Sequence, residues 1–247
     1  MTTAAEVKKW VGPILVANED LVLKSRILYL RPLQHIYRNI RFLGSSDKKF
    51  PQPTVDYGVL FAPPDTPASC SWSGGLNVGW STDPQFLTKL RLSIDDALNT
   101  TLRPLQSVES LLVLAARDAA AGKSRSNALS RYPGLHAVIL AAVGQLAEAA
   151  AVVGNYGVVS ETRQQALLSQ GETLLSARSE STEAKRLVRL ADHYRSELAD
   201  LKSLASLARA HNRSGIGALL GQWELERVRR LGIEHLWEPT PFPVEQV

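Results

Sequence analysis

A chain of 247 residues, 45% apolar and 21% charged, is long enough for one large domain or two small ones with proper cores, and this composition excludes a disordered chain. Its single cysteine, Cys70, excludes an intrachain disulfide and a cysteine-rich structural zinc site, and suits a reducing, cytoplasmic setting. The net charge of +4 is unevenly spread, with nine basic and six acidic side chains in residues 1–80 against twelve of each in 161–247.

The first twenty residues place Val7, Trp10, Val11 and Ile14 at helical spacing, with Pro13 and the acids Glu6, Glu19 and Asp20 among them. This pattern predicts a short amphipathic helix and not a signal peptide. No run of about 18 apolar residues occurs, so no segment is expected to span a membrane.

From Leu21 to Trp80 the pattern predicts four strands. Even positions are the more apolar in Gln34 to Leu43 (Ile36, Ile40, Phe42), odd positions in Thr54 to Ala62 (Val55, Tyr57, Val59, Phe61), and even positions in Ser71 to Trp80 (Trp72, Leu76, Val78, Trp80). Period two marks a half-buried strand. Short connections rich in proline and glycine favour an antiparallel meander with one face on a core and one in water.

Near residue 82 the period changes from two to three or four. Thr82 or Asp83 can cap a helix carrying Phe86, Leu87, Leu90, Ile94 and Leu98, and a second apolar stripe runs from Leu105 to Ala115. Pro133 to Val153 predicts two short helices turned near Gly144. Leu135 to Val153, with Gly144 followed by Glu148 and Ala149, resembles the helix-turn-helix of tetratricopeptide repeats. That resemblance implies a closely approaching helix pair, and it does not recur at the period of about 34 residues that an array requires.

The strongest periodicity lies between Thr182 and Ala210, where Leu187, Ala191, Tyr194, Leu198, Leu201, Ala205 and Ala208 form a heptad seam. The segment Ser160 to Ala177 is expected to lie antiparallel to it. Ile216, Leu219, Leu220 and Trp223 begin a further helix ending near Gly232, and the proline-rich tail from Trp237 is expected to be extended. The resulting expectation is an α+β fold, an N-terminal helix plus a four-stranded antiparallel sheet in residues 1–81 followed by a helical bundle in 82–247, as two domains or one continuous globule.

Candidate functional residues fall in two groups. The basic stretch from Lys24 to Lys49 contains seven lysines and arginines against Asp47 alone. Within it, the row His35, Tyr37, Asn39 and Arg41, flanked by Arg31, Arg38, Lys48 and Lys49, presents basic, amide and aromatic groups that can meet phosphates and stack on bases. The alternative is a solvated sheet face whose charges discourage edge-to-edge pairing. The second group, Leu187, Tyr194, Leu198, Leu201 and Trp223, is an apolar surface for another protein or a second copy of the chain.

Signals for chemistry are weak. His193 and Glu197 have a metal-compatible spacing but lack a second histidine, Asp95 and Asp96 diverge on a helix, and Gly122-Lys123-Ser124 lacks the first glycine and the strand of a phosphate loop. Cys70 has no activating neighbour in sequence. No catalytic residue, metal or cofactor is therefore expected. The leading expectation is a non-enzymatic cytoplasmic interaction or adaptor protein, possible as an accessory or immunity component of a bacterial system. A nucleic-acid-binding protein using residues 24–49 is the alternative, and a hydrolase or transferase drawing on His35 and Asp56 is the third.

Overall fold

A computed structural model describes residues 2–44, 47, 49–64, 72–120, 132–177 and 182–246. The chain is α+β, with an N-terminal helix, an antiparallel sheet and then a series of helices. It forms two compact units: one comprises residues 1–60, 69–128 and 228–240, and the other 61–68, 129–227 and 241–247. The change of period near residue 82 thus divides strands from helices, while the units divide the chain elsewhere and both are discontinuous.

In the first unit, helix α1 (Ala4–Ala17) begins at Thr3, whose Oγ1 accepts from Glu6 N at 3.2 Å while Thr3 N donates to Glu6 Oε2 at 2.7 Å. This reciprocal cap satisfies two backbone donors that the helix cannot pair internally. Val7, Val11 and Ile14 are buried, and Trp10 packs edge-on against Phe86 and tilted against Phe42.

The sheet has five described strands in sequential order, β1 (Leu21–Lys24), β2 (Ile27–Leu30), β3 (Ile36–Leu43), β4 (Gln52–Val59) and β5 (Trp72–Gly75), all antiparallel to their neighbours. The expected first strand is therefore a hairpin. Lys24 opposes Ile27 across the two-residue turn Ser25-Arg26, in which Ser25 has φ 57°. Such turns favour glycine or asparagine, so serine and arginine hid it. The expected strand Ser71 to Trp80 is shorter, and Trp80 is half-exposed, tilted against Phe50 at 5.2 Å.

Both faces of the sheet are covered. Phe42, on the even face of β3, meets Trp10 of α1, and helix α2 (Phe86–Ala97) buries Phe86, Leu90, Ile94 and Ala97. A short π-helical turn (Leu98–Leu102) then leads to α3 (Val108–Ala120). On the other face Tyr29 and Leu33 pack in one apolar cluster with Leu60, Val228, Ile233 and Leu236, and Val22, Ile27, Tyr37 and Trp237 lie against it. The return segment 228–240 is pinned by Leu33 N to Leu236 O at 3.3 Å and Glu238 N to Leu33 O at 2.8 Å. The tail is thus extended at Trp237 but turns again at Pro243–Glu245.

The second unit is helical. Helix α4 (Pro133–Ala142) is apolar on all sides and buries eight of its residues, as a central helix must. The chain reverses at Gly144, whose φ of 84° suits glycine, and enters α5 (Leu146–Ala177). The helix after Gly144 is not short: the separately expected segments to Val153 and from Ser160 are one helix of 32 residues. It pairs with α6 (Thr182–Arg209), giving two rods of roughly 40–50 Å at 1.5 Å per residue. Helix α7 (Arg213–Leu231) is capped by Asn212 Oδ1, which accepts from Gly215 N at 2.9 Å. Its residues to Arg227 belong to this unit and the last four to the first.

Candidate functional site

The expected basic row is not an open sheet face. Asn39 is 1% exposed, His35 is buried, and Tyr37 and Arg41 are half-buried. The return segment 228–240 contributes to the cluster against which Tyr37 packs, and its Thr240 meets His35. Cross-strand pairing of Tyr29, Asn39 and Asp56 makes a polar band across the middle of that face. Arg41 Nη2 pairs with Asp56 Oδ2 at 3.2 Å. Burial raises the Asp56 carboxyl above its ordinary value by more than Arg41 lowers it. Asn39 Oδ1 and Arg41 Nε find no hydrogen-bond partner among the described residues.

The remaining members of the group are dispersed. Arg31 is exposed and donates from Nη2 to Glu19 O at 2.8 Å. Lys49 is exposed, its backbone N donating to Asp47 Oδ1, and Lys48 lies outside the described residues, as do Cys70 and Gly122 to Ser124. His35 and Asp56 are not a catalytic pair either. His35 O accepts from Leu60 N, which sets the histidine about 13 Å along the sheet from Asp56 at roughly 3.3 Å per residue.

Of the basic group Arg38 takes the opposite side of β3, between Ile36 and Ile40 on the even face, and is 7% exposed. Its Nη2 donates to Pro32 O at 2.9 Å and its Nη1 reaches Leu102 O at 3.5 Å, while Nε has no partner among the described residues. Burial lowers its pKa, and Asp20 opposes that shift. Asp20 is itself gripped by Arg103, through Nε at 3.0 Å and Nη2 at 3.1 Å. Arg38 therefore has no ion-paired carboxylate among the described residues.

Beside Arg38 lies a cleft of about 20 Å³, room for one water-sized group, lined among others by Pro32, Gln34, His35, Gln106 and Ser107. His35 Nε2 is held at 3.2 Å from Thr240 Oγ1. Ser107 lies immediately before α3 and caps it, its Oγ accepting from Ser110 N at 3.3 Å. His35 and Arg38 are the two candidates of the basic group that meet at one place.

The second group is interior. Leu187, Leu198, Leu201 and Trp223 are buried and Tyr194 is half-buried, so the heptad seam closes within the chain. Gly134 of α4 sits so close to Leu201 that a Cβ there would lie 2.8 Å from its Cδ1. Tyr156 of α5 donates its hydroxyl to Glu197 Oε2 at 2.8 Å, and burial, followed by the Glu197 charge, raises the tyrosine pKa. Glu197 is thus tied to a tyrosine, and no cluster of three metal-ligating side chains occurs among the described residues.

What the seam leaves open is the outer side of α5. Val158 and Val159 are 69% and 64% exposed, and Ala151, Asn155, Thr162 and Ala166 are exposed with them. No charged residue occurs from Ala149 to Ser160, and the whole helix carries only Glu148, Glu161, Arg163 and Glu172. Periodicity could not reveal this face, since apolar residues surround the helix.

No family model matches the chain, and neither the curated proteins nor the solved structures contain a match. Among the described residues no helix is long and apolar enough to cross a membrane.

Proposed function

We propose that this chain is a non-enzymatic, cytoplasmic protein-interaction or adaptor protein that docks another protein chain through the outer face of α5. The observation that supports this reading is the uncharged, exposed stretch around Val158 and Val159. A solvated helix face normally carries charge, and a contiguous exposed apolar face marks a contact surface. The seam helix α6 is not that surface, because its apolar residues are used in packing the chain's own core.

A second copy is the simplest occupant. An uncharged face of small side chains offers no charge pattern to select a foreign partner, and it can pack against itself about a two-fold axis. Light scattering on the eluting protein, with copurification at native expression level, tests the reading. The wild type is expected to associate, and the pair Val158→Glu and Val159→Glu is expected to abolish association while leaving thermal unfolding of the monomer unchanged. A wild type that remains monomeric and recovers no partner, or a variant that associates equally well, refutes it.

A further inference from the structure

The uncharged outer face of α5 is bounded by charge at its two ends. Of the four charged residues on the helix, Glu161 is held by Lys202 Nζ at 2.7 Å and Glu172 stands near the far end. That leaves Glu148 before the face and Arg163 after it. Both are exposed, and neither is in an ion pair among the described residues. Arg163 lies over the Tyr194 ring, 5.4 Å from its centroid, a contact that holds the cation at this flank without neutralising it.

At 1.5 Å and 100° per residue, Glu148 and Arg163 stand about 22 Å apart along the helix but only about 60° apart around it, toward the Val159 side of the face. Their midpoint falls between Asn155 and Tyr156, inside the stretch from Ala149 to Ser160 that carries no charge. A two-fold axis perpendicular to two copies of α5 at this midpoint runs them antiparallel and keeps the same flank of each on the same side. Residues equally far from the midpoint then stand opposite one another. Glu148 of each copy meets the partner's Arg163 at both ends, and the exposed Asn155, Val158 and Val159 fill the middle. A parallel pair would instead set acid beside acid and base beside base. Charges at the rim of a contact fix its direction and register more than its strength.

We infer that α5 packs antiparallel against α5 of a second copy of this chain, in the register that joins Glu148 of each to the partner's Arg163. This rests on the reading of the α5 face as the docking surface and adds to it the direction and register of the contact.

The test uses the full chain in a Cys70→Ser background, so that introduced cysteines report the arrangement. Ala151 and Val159 come opposite each other across the antiparallel contact. Two copies of either residue stand about 10–13 Å apart along it, too far for a disulfide. Ala151→Cys mixed with Val159→Cys is therefore expected to give a mixed disulfide dimer under mild oxidation, and neither variant alone is expected to cross-link.

The charges are tested separately by sedimentation equilibrium at low salt. Glu148→Arg and Arg163→Glu each set like charges together at both ends, and each is expected to weaken self-association about tenfold. The two variants mixed with each other, and the chain carrying both substitutions, are expected to recover the wild-type affinity. Cross-linking of Ala151→Cys with itself, or association that the single reversals leave unchanged, overturns the antiparallel register while the docking face stands. A chain that stays monomeric but recovers a foreign partner through this face overturns self-pairing alone, and one that stays monomeric without any partner overturns the face as well.

Discussion

Leu201→Ala measures whether the heptad seam belongs to the chain's own core. Leu201 is 0% exposed and lies against Gly134 of α4. Truncation removes three carbon groups, about 2.4 kcal/mol at roughly 0.8 kcal/mol each. The cavity left behind adds to this, because neighbours collapse only in part, giving a total of about 3–5 kcal/mol. At roughly 2–4 °C per kcal/mol for a chain of this size, the melting transition falls by about 6–20 °C.

The decisive comparison is against protein concentration. If the seam closes within one chain, the difference in melting temperature between variant and wild type is the same at two concentrations a hundredfold apart, because no association step is coupled to the lost contact. Differential scanning calorimetry at the two concentrations reads this directly. A loss below about 1 kcal/mol, or a difference that grows on dilution, would refute burial of the seam within the chain.

Two further outcomes concern the covered sheet. Gly58→Ala should destabilise the protein by about 1–3 kcal/mol in urea unfolding, because the new Cβ would stand 2.8 Å from the Tyr37 hydroxyl oxygen and 3.0–3.1 Å from its ring carbons; an unchanged midpoint contradicts that packing. Asp56 has a raised pKa through burial, so above about pH 4 the native state holds its proton more tightly than the unfolded chain, and its stability contribution is lost as pH rises through the native value. Asp56→Asn should remove that decline. A wild type that gains stability over the variant across this pH range shows the sign to be wrong.

Much of the secondary structure was legible because local signals and tertiary packing agree. The spacing Val7, Val11 and Ile14 follows one helix face, Pro133 opens α4 and Gly144 ends its turn, and the alternation in β3 and β4 identifies the more apolar side of each strand. Errors arose where a signal was missing or misleading. Ser25-Arg26 lacks the glycine or asparagine that announces a two-residue hairpin. The join between Val153 and Ser160 contains Gly154 and Gly157, weak helix formers, yet Gly157 packs 3.7 Å (from an added Cβ) from Leu198 Cδ1 and the helix continues.

The candidate site was legible only in its chemistry. A basic segment around Arg38 follows from residue counts, and a packing surface along Leu187 to Leu201 follows from heptad spacing. Local sequence alone established the α+β class, the change of period near residue 82 and the identity of these groups, since all three depend on residues a few positions apart. The tertiary structure decided what each face meets. A return segment about 190 residues downstream of β3 joins the cluster on which Tyr37 packs, Arg103 pairs with Asp20, and α4 fills the seam of α6. Periodicity ranks the two sides of an element by polarity, but burial depends on which distant surface arrives to exclude water.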